Sequence, residues 1–237
     1  MCYSNSSTSK NIDLARKFKK KIPENSTDIL YYHSSGFSHP LWPIINHSAE
    51  IQFMQWGLVP NWFRGEQREI ASKTLNCRTE TADSKASFKH LINSRRCIIP
   101  SSGFFEWQHK DKEKKPYFIY SPETKILSIA GLWDSNINNL TGEVENTFTI
   151  LTTEANEFMT EIHNTKKRMP LFLDSESVIE EWLSCKSEIN SYVSASQKTC
   201  LSAHPVDKRI LLSSNTNIPE VCNHFEKEKD NDQLTLF

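Results

Sequence analysis

Residues 97–132, CIIPSSGFFEWQHKDKEKKPYFIYSPETKILSIAGL, decide the fold. Four short runs lie in this stretch: Cys97–Ile99, Phe104–Trp107, Tyr117–Tyr120 and Ile126–Leu132. Pro100-Ser101-Ser102-Gly103 and Lys115-Pro116 punctuate them. Apolar and aromatic runs this short, bounded by Pro and Gly, read as strands, because a helix needs a longer stretch with a 3.6-residue period. Working outward, Ile51–Trp56 and Thr147–Leu151 add two more strands, and Leu201–Leu212 reads as a return to strand. Helical patterns appear at Glu154–Ile162 and Glu176–Leu183. Residues 9–22 read as an amphipathic helix, with Ile12, Ala15, Phe18 and Ile22 on one face, Arg16, Lys17 and Lys19 to Lys21 on the other, and Pro23 at its end. No internal repeat occurs, and no linker within residues 1–222 is long enough to separate two cores. The pattern predicts one α+β domain with a mostly antiparallel, partly barrel-like sheet and flanking helices.

The 237 residues carry a formal net charge of -1, so any nucleic-acid site must be a local basic patch. Nothing approaches the roughly 20 apolar residues of a membrane span. The start, MCYSNSSTSKN, lacks the apolar core of a signal peptide, which predicts a cytoplasmic protein. Six scattered cysteines without a C-x-x-C pair read as free thiols, and the eight histidines show no metal-ligand spacing, so neither a metal nor a cofactor is expected. A monomer is the default expectation. Residues 223–237 form a tail: a charged, disorder-like spacer, then Gln233-Leu234-Thr235-Leu236-Phe237. Three large apolar residues beyond a solvated spacer call for a binding partner.

Four segments could carry chemistry. Trimming of Met1 would make Cys2 the N-terminus, with an amine and a thiol on adjacent carbons. A model α-amine titrates near about 7.7–8.0, so a fraction of it is unprotonated at neutral pH. Such a 1,2-aminothiol condenses with an aldehyde to an imine, which the thiol traps as a thiazolidine ring. The second segment is Asn76-Cys77-Arg78-Thr79-Glu80-Thr81. In the third, Gly103-Phe104-Phe105-Glu106-Trp107, strand alternation puts Glu106 opposite Phe105 and Trp107, suited to move a proton near neutrality. The fourth is His163-Asn164-Thr165-Lys166-Lys167-Arg168-Met169-Pro170, directly after a helix. Singly, each has a plain reading: a frayed terminus, a solvated edge-strand Glu, a His against a helix dipole.

Together, in this order, they resemble the SRAP (SOS response-associated peptidase) family of abasic-site processing proteins. The matching signatures are Met1-Cys2, Trp56-Gly57-Leu58-Val59-Pro60-Asn61-Trp62, Asn76-x-Arg78-x-Glu80-Thr81, Gly103 to Trp107, Ile162-His163 with Arg168-Met169-Pro170, and His204-Pro205-Val206. The resemblance implies a sensor of abasic sites in single-stranded DNA that forms a thiazolidine crosslink through Cys2, shielding the lesion, with reversal and a lyase side reaction. It implies Asn76 as the residue that holds the N-terminus and sugar, Glu106 as the proton shuttle and His163 as an acid/base on the sugar. Arg78 and Arg168 would contact phosphates, and Trp62 with Phe63 would stack on a neighbouring base. Three departures stand out. Tyr3-Ser4 replace the usual Gly-Arg, with Arg16 to Lys21 or Arg64 as candidate substitutes for the arginine. Gly36-Phe37-Ser38-His39-Pro40 replaces an Asn-x-Ala-Pro segment, and four residues separate His163 from Arg168 where one is typical. Gln233, Leu234, Leu236 and Phe237 are similar to the peptide by which bacterial replication proteins bind the β sliding clamp, which implies work near the nucleoid. Two other functions remain open: a cysteine peptidase using Cys2, His163 and Glu106, and a non-covalent single-strand binder tethered to the clamp.

Overall fold

The computed structural model describes residues 2–111, 113–138 and 141–226. In chain order the elements are β1 (Ser4–Ser7), α1 (Asn11–Phe18), β2 (Tyr31–Ser35), β3 (Leu41–Ile44), β4 (Gln52–Trp56), α2 (Gln67–Lys73) and β5 (Asn76–Arg78). Then come β6 (Arg96–Ser101), β7 (Gly103–Lys110), β8 (Glu113–Tyr120), β9 (Leu127–Ile137), β10 (Val144–Glu154), α3 (Glu157–Ile162) and β11 (Arg168–Pro170). The last are α4 (Glu176–Ser184), α5 (Val193–Ser196), β12 (Ser202–Pro205) and α6 (Lys208–Leu211). The clamp-like residues Gln233, Leu234, Leu236 and Phe237, with most of the charged spacer, lie outside the described residues.

Two sheets carry the fold. One runs β12-β8-β7-β1-β2 and the other β3-β4-β10-β9-β6, with β5 and β11 also on β10. All pairings are antiparallel except β10 with β4 and with β5. Reciprocal backbone bonds between Ile45 and Ile98 (3.0 and 2.7 Å) bring the ends of the second sheet together, so it is a nearly closed, barrel-like sheet. The expected α+β, mostly antiparallel, partly barrel-like architecture with flanking helices is what the chain forms.

The strand pattern around residues 97–132 explains the layering. Along β7, Phe104 (1% exposed) faces the inner cluster with Trp42, Trp56, Phe148 and Ile129, whereas Phe105 faces a second cluster with Phe118, Val206 and Val221. Alternation then turns Glu106 to the same side as Phe104. Both faces of this sheet are therefore covered, one by the barrel and the other by residues after 205.

Several sequence readings shift. The first helix ends at Phe18 because Lys19 takes the left-handed conformation (φ 53°). Its buried face is Asn11, Leu14 and Phe18, not the expected Ile12–Ile22 stripe; Ile12 and Ile22 are 52% and 39% exposed. Burial of Leu14 and Phe18 contributes about 1.5–3 kcal/mol each. Residues 201–212 are not one strand: after β12, the Asp207 side chain caps the backbone N–H of Arg209 and starts α6. The helix expected from Glu154 starts at Glu157, where Asn156 caps Met159 N at 2.9 Å.

Candidate active site

Cys2 is 2% exposed and belongs to the apolar cluster of Trp42, Phe104, Ile162 and Met169. Immediately after it, β1 pairs with β7, Ser4 opposite Phe105. Continuing that register sets Tyr3 opposite Glu106, and the buried Cys2 thiol interacts with the Glu106 carboxyl. Burial pushes the Cys2 thiol pKa well up, and the Glu106 carboxylate raises it further. Glu106 is 5% exposed, and its Oε1 has no hydrogen-bond partner among the described residues.

His163, 4% exposed, follows the last turn of α3. A side-chain staple docks this end of α3 onto β7: Asn164 accepts from His109 N (3.0 Å) and donates to His109 O (2.6 Å), while Gln108 donates to Glu161 O (2.9 Å). His163 Nδ1 lies 2.9 Å from the Arg168 carbonyl, which only accepts, so Nδ1 carries the proton. Nε2 then faces Glu106, 3.7 Å from its Oε2. Desolvation pulls the imidazole pKa down, against the Glu106 charge, which pulls it up. An imidazole and a carboxyl this close, both buried, are placed for proton relay.

Asn76 opens β5, one residue past Leu75, whose carbonyl accepts from Trp56 Nε1 at 2.9 Å. On a strand Asn76 and Arg78 share a face, and Arg78 lines the cavity above Glu106. Both polar atoms of the Asn76 amide are buried without a partner among the described residues. A buried, unpartnered amide costs stability unless something binds it.

The cavity over Glu106 and His163 measures about 640 Å³ and is lined also by Tyr3, Arg78, Lys114, Lys166 and Lys208. Arg78 and Lys166 are shared with an adjoining cavity of about 420 Å³ that adds Lys167. Cations thus rim a groove with the Glu106 carboxyl and the His163 imidazole in its lining and the buried Cys2 thiol next to Glu106. Arg168 also lines the adjoining cavity, but its side chain is only 6% exposed, bidentate to Glu80 (2.7 and 3.0 Å) and donating to Thr152 O (2.5 Å). Its carbonyl holds His163 while its guanidinium is tied to Glu80, and the more exposed cations at this end of the groove are Arg78, Lys166 and Lys167. Nor do Arg16 to Lys21 or Arg64 line this groove. Lys20 donates to Ser48 O, and Arg64 to Asn61 O (2.7 Å) and Phe63 O (2.9 Å). Trp62 (47% exposed) and Phe63 meet edge to face at 6.2 Å; Trp62 lines a separate cavity of about 250 Å³ with His90, Arg95 and Asp134.

Sequence reasoning missed Tyr3, Lys114, Lys166 and Lys208 as lining residues. Tyr3, next to Cys2, was the most accessible of them, whereas Lys208 comes from a helix read as strand. Among the described residues no three His, Cys, Asp or Glu side chains gather as a metal site, and no helix is long and apolar enough to cross a membrane.

The chain is 34% identical to a protein of Bacteroides thetaiotaomicron solved by X-ray crystallography, with a TM-score of 0.87 over 95% of this chain and 100% of that one. It is 38% identical over 150 residues to abasic site processing protein HMCES of Gallus gallus, covering 55% of this chain and 44% of that protein, so it spans under half that relative's length. Abasic site processing protein YoqW of Bacillus subtilis is 38% identical over 168 residues, 68% of this chain and 72% of that protein. The family model described as SOS response associated peptidase (SRAP) matches residues 1–212. With this match over most of its length, the chain belongs to the SRAP family.

Proposed function

We propose that the protein processes abasic sites in single-stranded DNA by forming a thiazolidine crosslink through Cys2. The observation that carries this reading is the Cys2 thiol beside the Glu106–His163 pair at the floor of a cation-rimmed groove. The names of the chicken and Bacillus relatives support the substrate.

In the full chain the Cys2 nitrogen is an amide, so Met1 must leave first. The freed amine attacks C1′ of the ring-opened abasic sugar, and the carbinolamine loses water to give an imine. Cys2 Sγ then adds to the imine carbon. One C–N and one C–S bond form, one water departs, and the thiol proton ends on the ring nitrogen. Because burial holds the thiol protonated, sulfur attack needs a base at hand, and Glu106 fills that role. The same carboxyl, reloaded through His163 Nε2, returns protons to the carbinolamine oxygen in one direction and to the thiol in reversal. Asn76 gives its unpartnered amide to the sugar or the amine, and Arg78, Lys166 and Lys167 meet phosphates. Loss of the C2′ proton from the imine is a competing lyase exit.

The peptidase alternative uses the same thiol but needs a thiolate, which this burial opposes. The deciding experiment is a denaturing gel with single-stranded DNA carrying one abasic site, using wild type, Cys2→Ala and protein with a chemically blocked α-amine. A slow band from wild type alone, in protein shown by mass spectrometry to lack Met1, is expected. No band from such protein would overturn the proposal.

A further inference from the structure

The groove has one wall that the crosslinking chemistry leaves unused, and it is aromatic. Tyr3 lines the cavity beside Arg78 and Glu106. As the residue after Cys2, its Cα lies about 3.8 Å from that of the reacting residue. The Phe37 ring packs against Tyr3, centroids 5.0 Å apart at 40°, yet Phe37 remains 52% exposed.

This exposed ring is held firmly. Gly36 N donates to Tyr3 O at 2.7 Å, joining the turn of residues 36–38 directly to the start of the chain. Within the turn, Phe37 N donates to Ser35 Oγ (3.3 Å), Ser38 Oγ to Ser35 O (2.7 Å) and His39 N to Gly36 O (3.0 Å). The His39 ring anchors the far side through Nδ1 to Trp56 O at 2.8 Å. A Cβ at Gly36 would come within 3.1 Å of the Trp56 ring and 3.2 Å of Leu75, so glycine lets the turn sit this close to the core. Backbone order has thus been fixed around an aromatic ring that, among the described residues, keeps about half of its surface open. A flat, pre-ordered apolar face beside a cation, one residue from a nucleophile, suits a planar ring carried on a phosphate backbone.

We propose that Tyr3 and Phe37 form a stacking step for the nucleobase adjacent to the abasic position. This rests on the abasic-site reading of the same groove. The missing base leaves its neighbour without a stacking partner on that side, and the aromatic step supplies one while Cys2 holds the sugar. Stacking tolerates any base, as lesion recognition without sequence preference requires.

The test uses fluorescence anisotropy with the full chain and single strands carrying a central tetrahydrofuran, an abasic analogue without an aldehyde. Two further strands carry a second tetrahydrofuran on the 5′ or the 3′ side, deleting one neighbouring base. Wild type is expected to bind one of these two strands about tenfold more weakly, or about 1.4 kcal/mol. Phe37→Ala is expected to bind the singly modified strand about as weakly and to stop distinguishing it from that doubly modified one; Phe37→Trp restores both behaviours. Wild-type affinity in Phe37→Ala, indifference of wild type to both neighbours, or failure of Phe37→Trp to restore binding would overturn the step. The analogue cannot react, so a wild type that never crosslinks aldehyde DNA refutes the crosslink while these affinities still decide the stacking.

Discussion

His33 makes the fold acid-sensitive in a calculable window. It lies on β2, 9% exposed, its ring edge-on to Phe105 (5.0 Å) and its Nδ1 2.9 Å from Thr216 Oγ1, in the segment that returns over this sheet. Burial lowers its pKa from 6.5 to about 4. Between those values the unfolded chain holds a proton that the folded chain refuses, so stability rises with pH across the window. The contribution is complete above about pH 6.5, falls as pH drops, and levels off below about 4. A shift of about 2.5 units at 1.36 kcal/mol per unit makes the loss about 3 kcal/mol. Urea unfolding of wild type and His33→Gln at half-unit steps from pH 4 to 7.5 isolates the effect, because other titrating groups cancel in the difference. The wild type should lose about 3 kcal/mol more than the variant on acidification. Parallel curves would refute the argument and mean that the ring is hydrated or keeps a charge in the folded state.

Four further outcomes are expected. Glu106→Gln removes the base beside Cys2 and should slow crosslinking by about 100-fold or more with DNA affinity retained, as time courses at saturating DNA would show; a wild-type rate would exclude it from proton transfer. Arg168→Lys keeps the charge but loses the bidentate contact with Glu80, which is partly solvated, and should cost about 1–3 kcal/mol in urea unfolding. A cost near zero would make that pair idle. Replacing Lys166 and Lys167 together by Gln should flatten the salt dependence of single-strand binding by about 0.7 log unit for each phosphate no longer neutralised; an unchanged slope would remove them from the phosphate path. Deletion of residues 233–237 should abolish retention on immobilised β sliding clamp and leave crosslinking intact, whereas retained binding would dismiss the tail as a clamp ligand.

What the sequence revealed depended on how local the cause was. That Glu106 lies on the face opposite Phe105 follows from two-residue alternation and was readable from five letters; that this face is the inner one depends on the barrel that covers it. The position of His163 was not, because it is set by Asn164 bonding across to His109, 55 residues earlier. Arg168 reads as a surface cation until Glu80, 88 residues away in sequence, is seen to hold it. The face of α1 was misassigned because its packing partners come from distant chain that periodicity cannot specify.

The stretched spacing between His163 and Arg168, a defect when set beside the family pattern, has a structural use. Lys167 takes a left-handed conformation (φ 49°), its N–H bonds to His163 O at 2.8 Å, and its carbonyl accepts from Ala155 N at 3.0 Å. This tight turn absorbs the extra residues and still returns the Arg168 carbonyl to His163 Nδ1, so the imidazole keeps the tautomer that leaves Nε2 for Glu106. What protrudes from the turn is Lys166 and Lys167, exposed at the rim of the groove. The chain also carries Tyr3-Ser4 after Met1-Cys2, where the resemblance sets Gly-Arg. The two departures meet at one groove: Tyr3 lines the cavity over Glu106, and the longer loop behind the imidazole sets Lys166 in the same lining while the Arg168 carbonyl still holds His163 Nδ1.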